Sequence, residues 1–123
     1  MSYQFYNANA HGKFVNDCTI RAISLAEGKT WDETYEELSD IAQEKGILLD
    51  DVNFIDKLLD ARYSRTCYRE TTVGEFAETH QIGIYLITMK GHITCCMDGV
   101  IYDTFDCRDR FIWCVWRVLD YRE

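Results

Sequence analysis

Apolar residues recur at helical spacing through the first two-thirds of the chain and at strand spacing through the last third. Asn16-Asp17 reads as a helix start, followed by Cys18 to about Glu27 with Ile20 and Ile23 facing inward and Gly28 as the stop. Thr30-Trp31-Asp32-Glu33 has the form of a capping box. Trp31, Tyr35, Leu38 and Ala42 then form one stripe, read as core, that Gly46 closes. A third helix is predicted from Asp51 to about Ala61, burying Val52, Ile55, Leu58 and Leu59. Thr72-Val73-Gly74-Glu75 is a second capping box, opening a short helix through Phe76 and Ala77 that stops before Gly83. Residues 1–15 show no period and read as irregular, anchored by Tyr3, Phe5, Tyr6 and Phe14.

The texture then changes. Ile84 to Met89 is a strand by its β-branched and aromatic content, and His92 to Met97 and Val100 to Phe105 follow, joined by Asp98-Gly99. Asp-Gly between two apolar runs is a strong signal for a two-residue hairpin. Phe111 to Val118 is the last predicted strand, with Trp113 and Trp116 on opposite faces. Helices followed by antiparallel strands give an α+β fold, N-terminal helices packed on a small C-terminal sheet. With 123 residues, no proline, no repeat and no linker, residues 1–123 read as one domain.

Charge and composition narrow the function classes. Lys and Arg number 13 against 21 Asp and Glu, a net of −8 that repels phosphates and argues against a nucleic-acid partner. No apolar run is long enough for a membrane span, and Met1 to Ala8 has neither the basic nor the apolar region of a signal peptide. The cytoplasm is therefore the expected compartment. The cysteines, at 18, 67, 95, 96, 107 and 114, show no C-x-x-C spacing, so neither a metal nor any other cofactor is expected. Without a secretory context most of them read as reduced, small, buried residues.

The hairpin carries the sharpest inference. A two-residue turn at Asp98-Gly99 pairs Met97 with Val100, Cys96 with Ile101, Cys95 with Tyr102, Thr94 with Asp103 and His92 with Phe105. His92, Thr94 and Cys96 then share a face with Ile101, Asp103 and Phe105, while Asp106 falls out of phase, so Asp103 is the expected partner of His92. With Asn16 as cap, Cys18 lies in the first turn of its helix, where backbone N–H groups and the helix dipole favour a thiolate. Arg21 either adds to that effect or pairs with Asp17. Cys18, His92 and Asp103 together would form a nucleophilic centre, provided Cys18 faces His92.

Asn16-Asp17-Cys18-Thr19-Ile20-Arg21-Ala22-Ile23 and the Gly91–Asp106 segment resemble the papain-like cysteine protease superfamily. The similarity is to small members from bacteria and their phages, in which a DC-x-x-RA helix precedes a GH…DG-x-IYDTWD hairpin. It spans roughly residues 14 to 116. The resemblance implies Cys18 as nucleophile, His92 as general base and then acid, and Asp103 as the orienting carboxylate. Such enzymes usually carry a Gln about six residues before the Cys. Gly12 stands there, so Asn16, Asn9 or His11 would have to supply an oxyanion donor beside the backbone N–H of Cys18.

The leading expectation is a thiol hydrolase that cleaves an amide, peptide or isopeptide bond in a peptide or protein substrate. The alternative is a catalytically silent papain-like binding module, such as a phage inhibitor of a host protein. A redox or metal protein built on the six cysteines is the weakest of the three readings.

Overall fold

The computed structural model describes residues 2–49 and 51–119, apart from the side chains of Val52 and Leu119. In chain order the elements are β1 (Tyr3–Phe5), α1 (Cys18–Glu27), α2 (Trp31–Lys45), α3 (Val52–Arg62), β2 (Ser64–Cys67), α4 (Val73–Thr79), β3 (Ile84–Met89), β4 (His92–Met97), β5 (Val100–Asp103) and β6 (Cys114–Leu119). The fold is α+β, with one six-stranded sheet in the order β1-β5-β4-β3-β6-β2, antiparallel except where β1 runs parallel to β5.

Local chemistry explains the helix boundaries. Thr30 and Thr72 each accept a hydrogen bond from the backbone N–H three residues on, and Glu33 and Glu75 return one to the capping backbone. Gly28 and Gly46 end α1 and α2 in the left-handed conformation that costs glycine nothing. Asp51 caps α3 by accepting from Asn53 and Phe54. In the β4–β5 turn both Asp98 (φ 50°) and Gly99 (φ 80°) have positive φ, the pairing a tight hairpin needs. The register follows, with Met97 opposite Val100, Cys96 opposite Ile101 and Cys95 opposite Tyr102.

Alternation along β3 and β4 feeds two cores. Leu86, Ile93 and Cys95 join Ile20, Ile23, Leu38, Leu59 and Trp116 beneath α1, α2 and α3. Ile87, Met89 and Cys96 instead join Val73, Phe76, Ile101 and Cys107 on the α4 side. The helices thus divide three to one across the sheet.

Four expectations need correction. Residues 3–5 are a strand, not irregular chain, because Ser2 and Phe5 lie along β5 and complete its open edge. β2 is exposed throughout, so no apolar alternation marks it in the sequence. β5 ends at Asp103 and β6 begins at Cys114; Phe111 makes only an isolated bridge to Thr72, and Trp113 precedes the strand. Tyr35 is 48% exposed and leaves the helical stripe to Leu38 and Ala42. The expected burial of Val52 falls on a side chain outside those described.

Candidate active site

The cap of α1 is Asp17, not Asn16, which makes Cys18 the first residue of the helix. Asp17 makes no side-chain capping bond because its carboxylate is used elsewhere. It accepts from Arg21 Nε at 2.7 Å, Trp31 Nε1 at 2.9 Å and Asn9 Nδ2 at 3.1 Å. The backbone N–H groups of the first turn are therefore not blocked by a side chain at the cap, and Cys18 sits beside them.

On the sheet, His92 opens β4 and Asp103 closes β5. His92 Nε2 lies 2.6 Å from Asp103 Oδ2, with Asp103 only 1% exposed. Asp106, the out-of-phase carboxylate, forks onto the Arg108 guanidinium instead. With Nε2 committed to Asp103, Nδ1 is the nitrogen left for Cys18. Phe105 packs at a tilt against the imidazole, ring centroids 4.7 Å apart, and walls one side.

Arg21 ties the helix to the hairpin. Its Nη1 donates to Asp103 Oδ1 at 2.9 Å while its Nε holds Asp17, so one guanidinium joins the cap of the Cys18 helix to the partner of His92. The Thr104 backbone N–H also donates to Asp103 Oδ1, at 2.7 Å. The sequence offered Arg21 two roles as alternatives, supporting Cys18 or pairing with Asp17. Folding gives it both and adds the bond to Asp103, a contact across 82 residues that no local pattern encodes.

These contacts order the titrations. Burial opposes the charged form of Cys18, but the His92 hydrogen bond, the Ile93 backbone and the charges of His92 and Arg21 outweigh it, and the thiol falls below its ordinary value. Burial likewise opposes the imidazolium, yet the bonds to Asp103 and Cys18 raise His92 to about 9. Asp103, despite burial, is held at about 2 by His92 and Arg21; the Thr94 hydroxyl lies close to it but outside hydrogen-bond geometry. The shifts of Cys18 and His92 both favour their charged forms, beside a buried carboxylate.

A cleft of about 380 Å³ opens over this pair, with Asn16, Ile55, Asp56, Met89 and Trp113 among its walls. Asn16, no longer a cap, is exposed at the rim, and among the described residues its amide has no hydrogen-bond partner. Of the other candidate oxyanion donors, Asn9 is buried on Asp17, and His11 pairs with Asp32 at 2.8 Å against the Trp31 ring. His80 stacks on Phe76, 3.7 Å between centroids. Trp113 is the cleft tryptophan, while Trp116 is buried and donates to Asp60.

The cysteines divide in a way their spacing hides. Cys67 and Cys114, directly opposed on β2 and β6, form a disulfide, so the expectation that most of the cysteines are reduced holds for the other four and not for this pair. Cys95, Cys96 and Cys107 are buried and free. Cys107 reaches the hairpin from the α4 side, and ligand-capable atoms of His92, Asp103 and Cys107 lie within 4.8 Å of one another. Two of those atoms are already engaged with each other, and burial raises the Cys107 thiol to about 12. Among the described residues no helix is long and apolar enough to cross a membrane. No family model, curated protein or solved structure matches the chain.

Proposed function

We propose that the protein is a papain-like thiol hydrolase acting on an amide, peptide or isopeptide bond, with Cys18 as nucleophile, His92 as acid and base, and Asp103 orienting the imidazole. The observation that carries this reading is the division of the two imidazole nitrogens, Nε2 on buried Asp103 and Nδ1 left for a thiol at a helix start.

The Cys18 thiolate attacks the substrate carbonyl carbon, and the tetrahedral oxyanion meets the backbone N–H of Cys18 and the Asn16 amide. Collapse breaks the C–N bond as the imidazolium Nδ1 gives its proton to the departing amine, leaving a thioester on Cys18. His92 then takes a proton from water, the hydroxide adds to the thioester, and the carboxylic acid product and the thiolate are released. Asp103 stays ionised throughout, since its buried carboxylate already carries charge-assisted bonds from His92 and Arg21.

The test uses p-nitrophenyl acetate followed by peptide mapping. A burst of nitrophenolate with acetyl on Cys18 alone, then slow turnover, is the expected result. His92→Ala should suppress the burst. Acetylation spread over several thiols, or an acetylated Cys18 that never turns over, would contradict hydrolysis.

A further inference from the structure

The cleft beside Cys18 holds one carboxylate that the proposed chemistry does not use. Asp56, on α3, lines it together with His92, and among the described residues no lysine or arginine does. Its ion-pair partner among the described residues is Arg65, whose Nη1 stands 3.9 Å away while its Nη2 is committed to Asp60 at 3.0 Å and its guanidinium lies over the Trp116 ring. Asp56 thus keeps most of its hydrogen-bonding capacity, with its side chain 35% exposed towards the cleft.

Trp113 completes the picture. Its backbone is fixed on both sides, the N–H donating to Thr88 O at 2.8 Å and the carbonyl accepting from Tyr68 at 3.0 Å. Trp113 lines the cleft, 51% exposed, and makes no ring or cation contact among the described residues. An open indole face and a loosely paired carboxylate in one cleft match the requirements of a cation carried on an alkyl stem. A net charge of −8 draws cations towards the protein as a whole and disfavours anions.

Resting on the hydrolase reading, we propose that this cleft selects substrates with a cationic side chain, lysine or arginine, near the scissile bond, received by the Asp56 carboxylate and the Trp113 indole together. The amine of an isopeptide-linked lysine is a leaving group instead, and is not what these two residues hold.

The probes are three methanethiosulfonates of comparable length bearing an ethylammonium, a neutral propyl and an ethylsulfonate group. In each reaction the Cys18 thiolate attacks the divalent sulfur, forms a mixed disulfide and expels methanesulfinate. Rates at Cys18, read by mass spectrometry, are divided by each reagent's rate with 2-mercaptoethanol. Asp56→Asn should lower the cation-to-anion ratio about fivefold, as expected for one charge across a partly solvated cleft, with the neutral rate unchanged. Trp113→Ala should lower the cation-to-neutral ratio about threefold, consistent with a cation–π contact. Asp40→Asn removes the same charge from the exposed face of α2 and controls for net charge. If Asp56→Asn moves the ratio no more than Asp40→Asn, the selectivity proposal is overturned and the hydrolase reading stands. A Cys18 inert to all three reagents overturns both.

Discussion

Two thiols approach the same His92–Asp103 pair and meet opposite fates. Cys18 comes from the start of α1 and packs at the margin of the three-helix core, while Cys107 comes from the segment after β5 and lies wholly buried in the α4 core. Burial opposes the Cys18 thiolate, but His92 and Arg21 favour it, and the thiol falls below its ordinary value. Cys107 meets burial first and the Asp103 charge second, and both raise it, to about 12. Closeness to a histidine and an aspartate therefore does not by itself favour a thiolate. A helix start and cationic partners do.

Exchanging the thiols one at a time breaks the comparison most sharply. Cys18→Ala should reduce ester turnover by about 10³-fold or more with the melting temperature nearly unchanged, because the nucleophile is lost and little packing goes with it. Cys107→Ala should do the reverse, keeping turnover while losing on the order of 1 kcal/mol of stability for the small cavity left in the α4 core, read by urea denaturation.

The two carboxylates after the hairpin form the next contrast. Asp103→Asn should cost about 10²–10⁴-fold in turnover, since an amide both fails to stabilise the imidazolium and can hold the wrong tautomer. Asp106→Asn, which loosens only the exposed Arg108 fork, should leave turnover within about twofold.

Arg21 tests the shared support. Arg21→Met strands two buried carboxylates, and breaking such a network costs about 3–5 kcal/mol. Arg21→Lys should recover part of this, because one ammonium cannot present the two donors that span Asp17 and Asp103. A positioning role predicts, besides lost stability, an upward shift in the pH at which Cys18 becomes reactive.

The smallest effect is in the pH dependence of stability. Asp103, at about 2 in the folded state, contributes stability that is full above the ordinary carboxylate range and lost as pH falls from about 4 through 2. His92, at about 9, contributes stability that is full below its ordinary value of 6.5 and lost as pH rises through 9. In Cys18→Ser, which removes the opposing contribution of the lowered thiol, melting temperatures should thus decline from pH 6.5 towards 9, and adding His92→Gln should flatten that decline.

The parts of this molecule written in local chemistry were legible, and those decided by distant contacts were not. The two capping boxes, the Gly28 and Gly46 stops and the Asp98-Gly99 turn announce themselves because a few neighbouring residues satisfy their own backbone. The turn also carried the register, and with it the choice of Asp103 over Asp106. β1 and β2 were invisible: one is three residues long, and the other is an exposed edge with no apolar face. Asp17 looked like part of a cap, yet its carboxylate went to Arg21, Asn9 and Trp31, three partners brought by tertiary packing. The Cys67–Cys114 pair hid for the same reason, since β2 had to be recognised before the two could be opposed.

The most direct test of the account is the pH profile of iodoacetamide modification at Cys18 and Cys107 in the native protein, resolved by peptide mapping, with His92→Ala alongside. Cys18 should react rapidly below pH 7 and His92→Ala should move its profile to higher pH, while Cys107 should stay unmodified up to pH 9. Equal reactivity of the two thiols, or a Cys18 profile that His92→Ala leaves in place, would contradict it.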